Sequence, residues 1–383
     1  MAEARRNSTD SRPTRRQHSP ADDLENIVGT TFGVDALIRA LTVQPGLVNS
    51  IELEYVPPPP NSDGALLVRA RALGICGTDR AIVAGDYGWA PPGHRRLILG
   101  HESLGEVEAA PGASGFSRGD IIVGIVRRPD PMPCSACAVG EWDMCRNGLY
   151  TERGIKQRNG YGAERFRLEP EFAVKVDRSL GILGVLLEPT SVVAKAWDQV
   201  EQIGRRTHWW PRTVLVTGAG PIGLLAALLG KQRGFDIHVF DREEAGTKPM
   251  LVRELGGTYH VGDLGTLKPD IVMECTGAGS VVLEVIRRVA PDGIVCLTGV
   301  SSGGHKIKFD IGDLNREVVL ENGLVFGSVN ANRRHYQLAG SALADSNKDW
   351  LGQLITRRVP LSRWREALKR RTDDIKVVID FTT

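Results

Sequence analysis

The apolar run Thr213-Val214-Leu215-Val216-Thr217 breaks into Gly218-Ala219-Gly220-Pro221-Ile222-Gly223 and then into a Leu- and Ala-rich stretch that ends near residue 232. No other feature constrains the fold as much. A strand with no polar face needs cover on both sides, the situation of a strand in a parallel sheet wrapped by helices. Residues 237–240, 270–275 and 293–297 read as further buried strands, so the chain from about residue 191 predicts a doubly wound α/β domain. Glycine is common here, at 44 residues, and a glycine turn alone is a weak signal. Asp241, at the end of the next strand, strengthens it, because an acid at that spacing accepts hydrogen bonds from a ribose. The turn then predicts a dinucleotide site at Gly218, Gly220, Pro221, Ile222 and Gly223, with the pyrophosphate on the positive end of the helix. Asp241 favours NAD. The adjacent Arg242 offers a partner to a 2′-phosphate and leaves NADP open, although Glu243 and Glu244 make that pocket less cationic.

At 383 residues the chain exceeds what one core usually supports, so more than one domain is expected. Residues 36–167 carry short apolar or alternating runs broken by glycine and proline, which read as a β-rich domain. A helical stretch at 362–369 and a last strand at 376–381 return to it. The expected division is 1–34 as a leader, 35–190 as the β-rich domain, 191–326 as the α/β domain and 327–383 as the return. The leader is rich in Arg, Ser and Thr and poor in apolar residues, which predicts a disordered, solvated tail and not a signal sequence. A net charge of +2 gives no argument for nucleic acid, and no run of about 18 apolar residues suggests a membrane span.

Cysteine usage points to metal. With no secretory signal, the six cysteines predict a reducing cytoplasm and metal ligation, not disulfides. Cys76, in Gly74-Ile75-Cys76-Gly77-Thr78-Asp79, and His101, in Gly100-His101-Glu102, sit in glycine-punctuated loops that bring side chains in at close range. Glu102 and Glu188 supply carboxylates. Thiolate, imidazole and carboxylate form the ligand set of a catalytic Zn²⁺ with one open position. Cys134-x-x-Cys137 followed by Cys145 is a second, structural set that lacks a fourth thiolate; Asp130 is the candidate to complete it, and an empty lobe is the alternative.

Taken in order, these motifs resemble the zinc-dependent medium-chain dehydrogenase/reductase family over residues 36–383. Residues 150–155, Leu187-Glu188-Pro189 and residues 327–332 resemble its glucose (aldose) 1-dehydrogenase branch. The resemblance implies a GroES-like catalytic domain, a Rossmann domain, and a homodimer or homotetramer. It also implies that Cys76, His101 and either Glu102 or Glu188 hold the zinc, that Thr78 starts proton relay, and that Glu152 and Asn330 meet sugar hydroxyls. Asn330 then also lies by the nicotinamide, which Thr276, Gly277, Thr298 and Val300 line. The family's first lobe cysteine has no counterpart here, and Asp241-Arg242-Glu243 replaces a more basic stretch.

The expected chemistry is zinc-assisted loss of the anomeric hydroxyl proton through Thr78 and hydride transfer from C1 to NAD(P), giving a lactone. Polyol, cyclitol and amino-cyclitol substrates fit the same chemistry. A metal-free reductase has no use for Cys76, His101 and Glu188 together, and a non-catalytic scaffold has none for intact ligand and cofactor motifs.

Overall fold

The computed structural model describes residues 37–301 and 306–383; the expected leader lies outside the described residues. Two sheets dominate. The first is seven-stranded, in the order Ala173–Lys175, Ile121–Gly124, Glu102–Ala109, Leu66–Ile75, Lys376–Asp380, Ile355–Pro360, with Arg165–Leu168 also pairing to Leu66–Ile75. All its pairs are antiparallel except the last two strands of the chain, which run parallel. The Leu66–Ile75 strand shows how the sequence places it. Leu66, Val68 and Ala70 face a buried cluster, while Arg69 and Arg71 face outward and pair with Glu106 on the next strand at 3.3 and 2.5 Å. Its final four residues are buried on both faces, and this end delivers Cys76.

The second sheet is six-stranded and wholly parallel, in the order Thr258–His260, Asp236–Phe240, Thr213–Thr217, Ile271–Glu274, Ile294–Leu297, Leu324–Gly327. That is the dinucleotide-binding order, with a switch point beside the Thr213–Thr217 strand. The expected strands all appear, each within a residue or so of the expected ends. A three-stranded sheet of Glu52–Val56, Ile38–Val43 and Leu97–Ile98 flanks the first.

The helix Leu187–Gly204 packs between the sheets. The stretch 178–204 is apolar and long enough by length and mean hydropathy to cross a membrane, although Glu188 and Lys195 interrupt it and it is no unbroken apolar run, and 72% of its apolar window is buried inside the fold. Trp197 explains the lock. Its ring stacks on Phe235 at 5.3 Å, and its indole N–H donates to the Ala226 carbonyl at 3.2 Å, so it joins this helix to Pro221–Gln232. Truncating such a side chain costs about 3–5 kcal/mol.

Candidate active site

Cys76 ends the Leu66–Ile75 strand and caps the helix Gly77–Val83; its sulfur accepts the Thr78 amide at 3.2 Å. Across 25 residues the sheet brings His101 Nε2 to 3.0 Å from that sulfur. The other ring nitrogen, Nδ1, lies 3.4 Å from Asp79 Oδ1 and has no other partner among the described residues. Asp79 is fully buried, and its second oxygen accepts the Cys76 amide at 2.9 Å. One carboxylate therefore orients both candidate ligands. The Cys76 sulfur and the Asp79 carboxylate hold the buried imidazole of His101 well above its usual pKa, against burial, which opposes it as the largest single influence. Burial acts to raise the Asp79 carboxyl, but His101 together with the Cys76 amide and Lys376 outweighs it and holds the group low.

His101, Glu102 and Glu188 converge, with donor atoms within 4.8 Å of one another, as do those of Cys76, Asp79 and His101. The sheet register explains where Glu102 points. Both Glu102 and Val378 lie opposite Gly74, on its two sides. A Cβ on Gly74 would sit 2.0 Å from Glu102 Oε2, so only glycine lets this carboxylate cross the strand. Beyond it waits Lys376, whose Nζ is 2.6 Å from both oxygens and which is itself 1% exposed. Among the described residues, Glu188 has no such cation at hydrogen-bond distance. Burial pushes its carboxyl up to about 7, with Glu102 adding and His101 opposing. Glu102 is neutralised by Lys376, and Glu188 is the carboxylate left to answer a cation.

The expected sugar residues also meet. Asn330 Nδ2 donates to Glu152 Oε1 at 2.8 Å across 178 residues of chain. The same oxygen accepts Arg127 Nε at 3.1 Å and Nη2 at 3.0 Å. Asn330 has φ +62°, a left-handed conformation that Asn tolerates better than most residues. The Glu152 segment abuts the metal-ligand turn: a Cβ on Gly154 would lie 2.3 Å from the Gly100 carbonyl oxygen.

On the dinucleotide side, Gly220 caps the helix Pro221–Gln232 without any side-chain cap, which leaves the first-turn amides to a ligand. Asp241 stands at the mouth of the turn, where Oδ2 accepts the Ala219 amide at 2.6 Å and Oδ1 the Glu243 amide at 3.1 Å. Arg242 is exposed, and Glu243 pairs with Lys248. Thr276, Gly277 and Thr298 gather around the buried Glu274: its carboxylate accepts the amides of Thr276 at 2.8 Å and Gly277 at 3.1 Å, and its carbonyl the Thr298 hydroxyl at 2.8 Å. Val300 is exposed, with its backbone against Gly277.

The cysteine lobe differs from expectation at one residue. Cys134, Cys137 and Cys145 come together, but the carboxylate of Asp130 is not among their donor atoms. Asp130 Oδ1 is turned to the Met132 amide at 2.8 Å, and it is the Asp130 backbone that hydrogen-bonds to the Cys137 sulfur. Asp130 therefore shapes the lobe through its main chain. Hydrogen bonds from the Arg146 and Cys137 amides lower the Cys134 thiol to about 6, while burial pushes Cys137 up to about 11.

Residues 181–381 match the family described as glucose dehydrogenase C-terminus, and residues 62–178 the alcohol dehydrogenase GroES-like domain. Glucose 1-dehydrogenase of Thermoproteus tenax is 41% identical over 354 residues, covering 90% of this chain and all of the relative. The chain belongs to the glucose dehydrogenase branch of the zinc-dependent medium-chain dehydrogenases. Glucose 1-dehydrogenase 2 of Vulcanisaeta moutnovskia is 39% identical, at 90% and 99% coverage. Haloferax mediterranei glucose dehydrogenase, solved in complex with NADP, Zn and gluconolactone, superposes with a TM-score of 0.83 at 31% identity, over 90% of this chain and 99% of that one. A member of this branch is a zinc- and NAD(P)-dependent oxidoreductase of CH–OH groups, and this chain has the equipment: a thiol, an imidazole and a carboxylate converge in one cluster, and an uncapped glycine turn opens a helix of the parallel sheet.

Sequence reasoning missed Asp79 as an orienting group, although the residue stands in the Cys76 motif. It missed Lys376, Arg127 and Glu274 altogether. Spacing carries no signal for a partner 274 residues away, as Lys376 is from Glu102.

Proposed function

We propose that this protein oxidises the anomeric carbon of an aldose such as glucose to a lactone, reducing NAD(P). The observation that carries the sugar reading is the bond between Glu152 and Asn330 against the turn that presents His101. A carboxylate and an amide side by side offer both acceptor and donor to neighbouring hydroxyls. Cys76, His101 and Glu188 would hold the zinc. Their fit rests on His101, which shares one set of donor atoms within 4.8 Å with Cys76 and another with Glu188, and on Asp79, which leaves Nε2 of His101 directed at the Cys76 sulfur. When bound, the zinc supplies a Lewis acid for the substrate oxygen, and the nicotinamide supplies the hydride acceptor.

The chain's own residues do the rest. Glu152 and Asn330 orient the sugar, with Arg127 pairing with Glu152 and aiming it. Thr78, next to the ligand loop, carries the departing proton toward solvent. Glu274 fixes the loop of Thr276 and Gly277 against which the nicotinamide ribose rests. The division at residues 35–190, 191–326 and 327–383 belongs to the same reading: the return segment supplies Asn330 to the sugar and Lys376 to Glu102. A reducing compartment is consistent with six free cysteines. A homodimer or homotetramer is supported by the outer edge of the parallel sheet, where Val325 on the last strand and Ile311, Val319 and Leu320 on the preceding helix are exposed.

The deciding experiment is reduction of NAD and NADP by a panel of aldoses, polyols and cyclitols, with the product of the best substrate identified. A lactone from an aldose supports the reading; a ketone from a polyol or cyclitol as the preferred product overturns it. For the cofactor, Asp241 favours the uncharged ribose of NAD and repels a 2′-phosphate. The expected outcome is a higher kcat/KM with NAD, and a ratio that shifts toward NADP by about tenfold or more in Asp241→Ser, since one close repulsion at a partly buried site is worth on the order of 1–3 kcal/mol. A ratio untouched by the substitution would show that Asp241 does not face the ribose.

A further inference from the structure

Asp143 lies in the short turn Trp142–Met144, between Cys137 and Cys145, and is 5% exposed. Its surroundings are unusual for a residue of a surface lobe. Oδ2 is 2.9 Å from Lys195 Nζ, Oδ1 accepts Asn332 Nδ2 at 2.9 Å, and His335 Nδ1 stands 3.9 Å from Oδ2. The Asp143 main-chain carbonyl accepts Arg127 Nη1 at 3.1 Å. Lys195, on the helix Leu187–Gly204, is 1% exposed. Its ammonium also donates to the Val329 carbonyl at 2.9 Å and faces the Asp143 carbonyl at 3.4 Å. All three ammonium protons therefore have acceptors, two on Asp143 and one on Val329.

Those places adjoin the sugar pair. Val329 immediately precedes Asn330, which holds its left-handed φ of +62°, and Asn332 caps the helix Arg333–Ala344 just after it. Arg127 is the cation that holds Glu152. One buried ion pair thus fixes the peptide on the Asn330 side and the guanidinium on the Glu152 side. A charge pair in a protein interior is costly to assemble, and a residue whose donors are spent on one carboxylate and two backbone carbonyls sets geometry more than it adds stability.

We propose that Lys195 and Asp143 are positioning residues for aldose recognition, setting the distance between Asn330 and Glu152 so that the two can read adjacent hydroxyls. This rests on the aldose reading above. Neither residue touches the reacting carbon. The cysteine lobe, through Asp143, is then part of the frame of the sugar site.

The test uses the full-length zinc-loaded protein. Lys195→Met keeps the length of the side chain and removes its donors; the double variant Lys195→Met with Asp143→Asn buries no unpaired charge and serves if the single variant does not fold. For each, KM and kcat are measured for two epimeric aldoses, binding of the aldonolactone by calorimetry, and binding of NAD(P)H by fluorescence. The expected result is a KM about tenfold or more above wild type, a weaker lactone, a smaller preference between the epimers, and unchanged NAD(P)H affinity, because misplacement of a binding pair by a fraction of an ångström to 1 Å is felt in substrate recognition. A purely structural role lowers the active fraction, so kcat falls while KM, lactone affinity and epimer preference stay put; that result overturns the proposal. A wild type that oxidises no aldose and binds no aldonolactone overturns the functional reading and this inference with it, whereas an active wild type with indifferent variants overturns this inference alone.

Discussion

Two clusters in this molecule look alike as lists of ligands and differ as structures. Around Cys76 and His101, donors from separate stretches of chain are brought together by a seven-stranded sheet, and nearly every one has a buried partner behind it: Asp79 behind His101 and the Cys76 amide, Lys376 behind Glu102. In the cysteine lobe, Cys134, Cys137 and Cys145 meet through short-range chain geometry, two of them partly exposed, and the carboxylate expected to complete the set faces elsewhere. A metal site is finished by what holds its ligands as much as by the ligands. By that measure the first cluster is backed at every candidate ligand but Glu188, and the second lacks a fourth ligand.

The largest effect should follow from breaking the first cluster itself. Cys76→Ala or His101→Ala is expected to lower kcat/KM by on the order of 10³-fold or more, because the Lewis acid they would hold is worth several kcal/mol of transition-state stabilisation. Affinity for NAD(P)H should survive, since the glycine turn and Asp241 lie on other elements. Near-normal turnover in Cys76→Ala would remove the cluster from the active site.

Asp79 sharpens the comparison, because it is the kind of residue the lobe lacks. Asp79→Asn keeps the shape and removes the charge behind His101. Zinc affinity should fall by roughly 10–100-fold, the usual cost of losing a carboxylate behind a ligating histidine. The check is competition with a chelator of known affinity, followed by activity at saturating zinc. Affinity equal to wild type would mean that the 3.4 Å approach of Asp79 to His101 does not orient the ligand.

How far the sequence reaches into this site follows the same division. The glycine turn, Cys76 and His101 are legible because each is a compact motif whose meaning lies in immediate neighbours, and a parallel sheet of buried strands follows from alternating strand and helix text. Glu152 and Asn330 were reached only through resemblance, since 178 residues separate them. Lys376, Arg127 and Lys195 were invisible: a buried cation looks in sequence like any solvated lysine or arginine, and only the register opposite Gly74, or the packing of the Leu187–Gly204 helix, shows what it serves. Asp130 failed for the opposite reason. Its spacing from Cys134 suits a ligand, but one of its oxygens caps its own turn two residues on while the other is buried with no hydrogen-bond partner among the described residues, and spacing does not report how a carboxylate is used.

The smallest expected effect on catalysis belongs to the lobe. A closed structural zinc takes four protein ligands, and three thiols without the Asp130 carboxylate should hold the ion more weakly than the Cys76 cluster does. Protein purified with zinc present is therefore expected to carry about two ions per chain and to fall to about one under mild chelation, with activity retained. Cys134→Ser should abolish the labile ion and change kcat/KM by less than about twofold, because Cys134 is partly exposed and the residue that reaches the sugar frame from this lobe is Asp143. The same variant separates two contributions of the lobe. If the ion matters only to local order, the thermal midpoint falls slightly and the KM for an aldose stays; if the ion holds the Trp142–Met144 turn in place, KM rises in step with metal loss, as it should in Lys195→Met. A second zinc as resistant to chelation as the first would show that a fourth ligand closes the lobe after all, and the contrast between the two clusters would then reduce to burial alone.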